Sequence, residues 1–214
     1  MQSKLQVHGF VLAGGKSSRK GKDKALLKFC GKPMIEIAME KLRLFCEDVA
    51  VAGNRDDLTA YAAVVREARL GVGPAAGIEA GLLAASLPWV LFVPVDVPLM
   101  PPEVLCAWVK AVISAEENAG VCASYLMFEG QPQPAFCVMR KECVASWSNS
   151  LNSGERRLLA LLRDLRVHGS GSVRAMDVEG FNYAARNAPL AMSLWFSNVN
   201  TPEELVEAEA CARE

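Results

Sequence analysis

Short apolar runs alternate with longer amphipathic ones along the 214-residue sequence. That alternation is the pattern of β-α units, whose strands are buried on both faces and joined by helices lying over a largely parallel sheet. Val7–Leu12 predicts a buried first strand, stopped by Gly14-Gly15. A helix is predicted to start at Pro33, with Met34, Ile35, Ala38, Leu42 and Phe45 on one face. Val49–Ala52 and Ala63–Val65 read as short strands, Ala75–Ser86 as a helix and Trp89–Val93 as a buried strand. Pro101-Pro102 opens a helix to about Glu117 that turns Val104, Leu105, Trp108 and Ile113 inward. A strand near Ala135–Met139, helices near Glu142–Leu151 and Arg156–Leu165, and a last strand at Arg174–Val178 follow. Thr201-Pro202-Glu203-Glu204 is a capping box for a final helix. With no linker visible, the length predicts one domain spanning 1–214.

Composition matters for what it excludes. The net charge of −1 leaves no basic field for nucleic acid or an anionic membrane. The longest uncharged apolar run, Ala80 to Val95, is interrupted by Ser86, Pro88 and Pro94 and falls short of the roughly 20 residues a spanning helix needs. Seven cysteines with no C-x-x-C pair, and two distant histidines, support neither a disulfide framework nor a zinc site. They predict reduced, packed thiols in a cytoplasmic protein. Trp89, Trp108, Trp147 and Trp195 read as core, and His168 as a surface residue.

Charge is locally uneven. Lys16, Arg19, Lys20, Lys22, Lys24 and Lys28 share one stretch with a single acid, Asp23, so this segment carries +5 and the remainder −6. A strand entering a Gly-Gly turn offers bare backbone N–H groups to a ligand, and the cations that follow can neutralise phosphate oxygens. Arg19 supplies a planar fork and Lys24 a mobile point charge. The spacing misses the G-x4-G-K-[ST] loop, and no G-x-G-x-x-G is present. Taken alone, the segment fits a small anionic ligand or a solvated basic turn.

Two further segments invite a ligand. Asp96, in Pro94-Val95-Asp96-Val97-Pro98, follows a buried strand and so falls at the carboxyl edge of the sheet, where open α/β folds bind ligands. A carboxylate there, beside a polyphosphate, suits Mg²⁺; alone it reads equally as a turn aspartate. Gly71-Val72-Gly73-Pro74-Ala75-Ala76-Gly77-Ile78 fits either a flat base lying on backbone or close helix-to-sheet packing.

Together these segments resemble the molybdenum cofactor guanylyltransferases. Leu12–Leu27 is similar to the family's L-A-G-G-x-S-x-R-M-G-x-D-K-A-L-L signature and continues through Gly31-Lys32-Pro33. Gly73–Ile78 resembles G-P-L-A-G-I, and Pro94–Pro98 resembles P-x-D-x-P. Ser153-Gly154-Glu155-Arg156-Arg157 and Asn198-Val199-Asn200-Thr201-Pro202-Glu203 carry the narrower likeness. The resemblance implies a Rossmann-like three-layer α/β/α sandwich with a mostly parallel sheet, of the glycosyltransferase-A-like nucleotidyltransferase kind. It also implies transfer of GMP from GTP to molybdopterin or Mo-molybdopterin with release of pyrophosphate, assisted by Mg²⁺. On this reading Leu12, Ala13, Gly14 and Gly15 bind nucleotide through backbone, Arg19 and Lys24 hold phosphates, and Asn54, Glu67, Gly73 and Gly77 meet the nucleoside. Asp96 holds the metal and phosphates, while Arg156, Arg157, Asn198 and Asn200 face the pterin side. Other cofactor-biosynthesis proteins and molybdoenzyme chaperones are implied as partners.

Three positions depart from the pattern: Lys20 replaces a usual Met, Glu67 stands where Asp is common, and Gly53 where a bulkier residue is usual. Glu67 bears most on base selectivity, while Lys20 bears on phosphate affinity without changing the reaction. The alternatives are a CTP:molybdopterin or sugar-phosphate nucleotidyltransferase with the same loop and aspartate, or a GTP-binding partner protein without turnover.

Overall fold

The computed structural model describes residues 3–14, 23–114, 120–167, 171–185, 190–199 and 201–212. In chain order the strands and helices are β1 (Leu5–Leu12), β2 (Lys28–Phe29), β3 (Lys32–Pro33), α1 (Met34–Arg43), β4 (Cys46–Ala52), β5 (Val64–Val65), α2 (Pro74–Ala84), β6 (Trp89–Pro94), α3 (Pro102–Ile113), β7 (Val121–Phe128), β8 (Gln131–Arg140), α4 (Val144–Asn152), α5 (Leu158–Val167), β9 (Ser172–Asp177) and α6 (Pro202–Cys211). Seven strands form one sheet in the order β5-β4-β1-β6-β8-β7-β9, and β2 and β3 make a separate two-stranded ladder. β8 alone runs against the rest, pairing antiparallel with both β6 and β7. The α/β class and mostly parallel sheet are therefore as expected.

Both faces of the sheet are covered. On β1, Val7 and Val11 join one apolar layer with α1 and α3, while Phe10 and Leu12 join the opposite layer with α2, α4 and α5. This is why β1 reads as a nearly continuous apolar run: alternate side chains enter two different cores. α1 buries Met34, Ile35, Met39 and Leu42. α2 is apolar on almost every side and lies tight on the sheet, because a Cβ at Gly81 would come within 2.5 Å of the Phe92 ring. Trp108, Trp147 and Trp195 are fully buried, in line with their reading as core.

The sequence reading missed β7 and shortened β8. The two form a hairpin through Glu129 and Gly130, both at positive φ (48° and 72°), which matches a two-residue turn of the type that follows strand twist. Glu is an unusual residue at such a position, so the turn leaves a weak signal. Pro132 and Pro134 also argue against a strand; they are accommodated because β8 bulges, with Gln133 opposite Leu126 and Cys137 opposite Tyr125. Among the cysteines, Cys46, Cys122, Cys137 and Cys143 are packed thiols, but Cys30 is exposed.

The parallel strands end together. Leu12 is opposite both Ala52 and Pro94, and Ala52 is opposite Val65. Segments leaving these four residues therefore emerge at one edge of the sheet.

Candidate active site at the carboxyl edge of the sheet

Backbone hydrogen bonds stitch the emerging segments together. Ala13 N–H donates to the Ala52 carbonyl at 3.0 Å, Val95 N–H to Leu12 at 3.3 Å, and Gly53 N–H to Val65 at 3.0 Å. The approach is close enough to explain Gly53: a Cβ there would stand 3.1 Å from the Gly14 nitrogen and the Ala13 carbonyl carbon. The residue that departs from the family pattern thus lets the Ala13-Gly14 backbone lie against the end of β4.

Lys24 and Asp96, 72 positions apart, meet here, with Nζ donating to Oδ2 at 3.2 Å. Each is held from behind. Lys24 opens a single 3₁₀ turn (Lys24–Leu26) whose N-cap is Asp23, with Oδ1 accepting from Ala25 N–H at 3.0 Å. Arg55, just past β4, lays its guanidinium across both Asp23 oxygens and also binds Asp57 at 2.6 and 2.8 Å. Asp96 sits on a loop whose prolines lack amide hydrogens; its carbonyl accepts from Val199 N–H at 2.9 Å. That bond brings the Asn198-Val199 segment to the aspartate loop, with Asn198 exposed. Nothing local in the sequence singles out Arg55; the signal that points to it is Asp23, the single acid in a run of cations.

Glu67 reaches the same place from the end of β5. The Asn54 side chain is zipped to its backbone, with Nδ2 donating to the Glu67 carbonyl at 3.2 Å and Oδ1 accepting from the Glu67 N–H at 3.1 Å. Asn54 thus orients Glu67 directly. The Glu67 carboxyl fills the space that side chains at Gly14 and Gly77 would take: ideal Cβ atoms there would lie 2.0 and 3.3 Å from Oε1. Among the described residues the buried Oε1 has no hydrogen-bond partner, and burial raises the acid's pKa. An orphaned buried carboxyl oxygen is costly unless a donor arrives. Gly73 opens α2 at φ 77°, with no atom within 4 Å of where its Cβ would be.

The Arg156–Arg157 turn lies at the same edge. β8 ends beside Trp89 at the amino edge, and α4 climbs back until the Trp147 indole donates to Ala75 at 3.0 Å in the first turn of α2. In that turn Arg156 binds the Leu151 and Glu155 carbonyls at 2.7 and 2.8 Å. Arg157, largely exposed, pairs with Glu155, whose pKa falls to about 2 through the Arg157 guanidinium and two backbone N–H groups. Arg69, another residue the sequence reading left aside, binds the buried Glu79 at 2.6 and 3.2 Å and Asn152 at 2.7 Å, tying the glycine-rich loop to the end of α4. Gly15, Arg19 and Asn200 lie outside the described residues. Among the described residues, no group of three or more His, Cys, Asp or Glu could hold a metal, and no helix is long and apolar enough to cross a membrane.

Comparison with known proteins places the chain in a family. A family model for the MobA-like NTP transferase domain matches residues 9–168. The molybdenum cofactor guanylyltransferase of Yersinia pestis (strain Pestoides F) is 30% identical over 197 residues, covering 88% of this chain and 94% of that protein. The crystal structure of molybdopterin-guanine dinucleotide biosynthesis protein A from Archaeoglobus fulgidus superposes with a TM-score of 0.74 at 24% identity, covering 97% of this chain and all of that one. The 2-C-methyl-D-erythritol 4-phosphate cytidylyltransferase of Thermus thermophilus shares the fold, with a TM-score of 0.65 at 19% identity over 98% of this chain and all of that one. The chain belongs to the MobA-like NTP transferase family of nucleotidyltransferases, with molybdenum cofactor guanylyltransferases among its relatives.

Proposed function

We propose that this chain transfers the GMP moiety of GTP to the terminal phosphate of a molybdopterin-type cofactor, releasing pyrophosphate. The observation that carries the reading is the meeting of Lys24 and Asp96 at 3.2 Å, on a loop bonded to the end of β1 where the Ala13-Gly14 backbone leaves the sheet. The Leu12–Gly14 backbone would receive the nucleotide, and Lys24 its phosphates. Gly15 and Arg19 would extend the phosphate contacts. Gly73 leaves room for ribose or base, whereas Gly77 serves close packing, its open side taken by Leu12 and the Glu67 carboxyl. Glu67, held by Asn54, supplies an acceptor oxygen that has no partner among the described residues. Guanine offers it two adjacent donors, an N1–H and a 2-amino group, whereas cytosine offers only its amino group.

The attacking group is a phosphate monoester, already anionic near neutral pH, so no general base is required. An acceptor oxygen bonds to the α-phosphorus of GTP as the bond to the β-phosphate bridging oxygen breaks, and the electron pair leaves with pyrophosphate. The protein's task is to align two polyanions and screen their repulsion. Lys24 would do so as a point charge, and Arg156, Arg157, Asn198 and Asn200 would meet the acceptor.

Asp96 would hold Mg²⁺. A single carboxylate at a strand end fits an ion that takes one or two protein carboxylates and completes its shell with phosphate oxygens and water; the Lys24 ammonium already stands as a cation against Oδ2. When bound, the ion supplies charge neutralisation on the phosphates.

Replacing Asp96 by Ala is expected to lower pyrophosphate release from GTP and molybdopterin on the order of 10²–10³-fold with an unchanged melting temperature. Turnover near that of the wild type would remove Asp96 from the site. Preferential incorporation of CMP when all four nucleotides are offered would overturn the guanylyl assignment.

A further inference from the structure

Lys41 is a residue the mechanism above does not use. It sits on α1, yet its ammonium turns away from solvent into a crevice lined by Met34, Leu42, Val95, Met100, Leu105 and Phe136. There it donates to the carbonyl of Pro98. This reverses the usual habit of lysine, which covers apolar surface with its stem and keeps its charge wet. The nearby charge is Glu103 of α3, and burial outweighs it, drawing the lysine pKa down to about 8. An ammonium kept in apolar surroundings is an inefficient way to stabilise a fold.

Its contact suggests what it does instead. Among the described residues, the Pro94–Met100 segment has no strand partner beyond β6, and two of its residues lack an amide hydrogen. The backbone bonds that hold it there are Val95 to Leu12, Met100 to Val97, and Val199 to the Asp96 carbonyl. Lys41 grips the segment at Pro98, two residues past the aspartate and on the side facing α1.

We propose that Lys41 is a positioning residue whose bond to the Pro98 carbonyl fixes the loop that presents Asp96 to the nucleotide. The proposal rests on the functional reading above for its kinetic consequence, and on the loop alone for its structural one. Lys41→Met keeps length and apolar contact while removing both donor and charge. Hydrogen exchange of the Met100 and Val199 amides should quicken about fivefold or more while the β1 and β6 amides stay as they were. With GTP and molybdopterin, kcat should fall by about 10–10²-fold, as expected for a displaced reacting group. KM for GTP should stay within about twofold, and the melting temperature at neutral pH should not fall. Unchanged Met100 and Val199 exchange, or unchanged kcat, overturns the proposal. So does a parallel loss of melting temperature and activity with faster exchange throughout the sheet. Should the wild type itself release no pyrophosphate, the functional reading fails, and the exchange rates still decide whether Lys41 braces the loop.

Discussion

Replacing Lys41 with Met should stabilise the protein at neutral pH and destabilise it in strong alkali. The folded protein holds the lysine pKa at about 8 instead of 10.5, because burial disfavours the charged form more than Glu103 favours it. At about 1.36 kcal/mol per unit, keeping the ammonium charged in the native state at pH 7 costs roughly 3 kcal/mol. The neutral amine retains a hydrogen bond to Pro98 worth about 1 kcal/mol. Methionine removes both, so the variant should be more stable than the wild type by about 2 kcal/mol at pH 7. Between pH 8 and 10.5 the unfolded wild type binds more protons than the folded, and wild-type stability therefore climbs with pH. The variant's advantage should shrink across that window and end as a deficit of about 1 kcal/mol above it. Urea unfolding of both proteins under reducing conditions, at intervals from neutral pH upward, gives the difference directly, since the titrations of other groups cancel. A difference independent of pH, or one that grows in the variant's favour as pH rises, would refute the reasoning.

Other expectations follow from single contacts. Glu67→Gln removes the negative charge and exchanges one acceptor oxygen for a donor; calorimetric titration should show Mg·GTP binding weakened by about 10–10²-fold, as for loss of one bidentate base contact, while thermal melting at neutral pH is not impaired. Because burial raises the Glu67 pKa, GTP affinity in the wild type should decline as pH drops through that raised value, and the decline should be absent in the Gln variant. Gly81→Ala would place a methyl group 2.5 Å from the Phe92 ring, costing about 1–3 kcal/mol in urea unfolding, with turnover per folded molecule retained.

Much of the candidate site is legible in the sequence, because the relevant signals are local. The β1 run followed by glycines, the proline-flanked aspartate and the Thr201 capping box each occupy a few adjacent residues whose chemistry limits what backbone can follow. β7 was illegible because Glu129 gives its turn a weak signature and the prolines of β8 are tolerated only through a bulge. Glu67 could be named as a position of interest, but its tilt into the space above Gly14 and Gly77 depends on Asn54, just past the end of β4, gripping its backbone.

The sequence by itself determined the α/β class, the approximate span of most helices and strands, and the candidate phosphate and carboxylate segments. Hydrophobic periodicity and turn chemistry are expressed within a window of a dozen residues or so. Only the tertiary structure decided which of these segments meet. Strand order places the ends of β1, β4, β5 and β6 together, and from that follow the Lys24–Asp96 contact, the Arg55 hold on Asp23 and the inward turn of Lys41. Contacts between residues dozens of positions apart are set by how the two apolar layers close over the sheet, and no local stretch of chain contains that information.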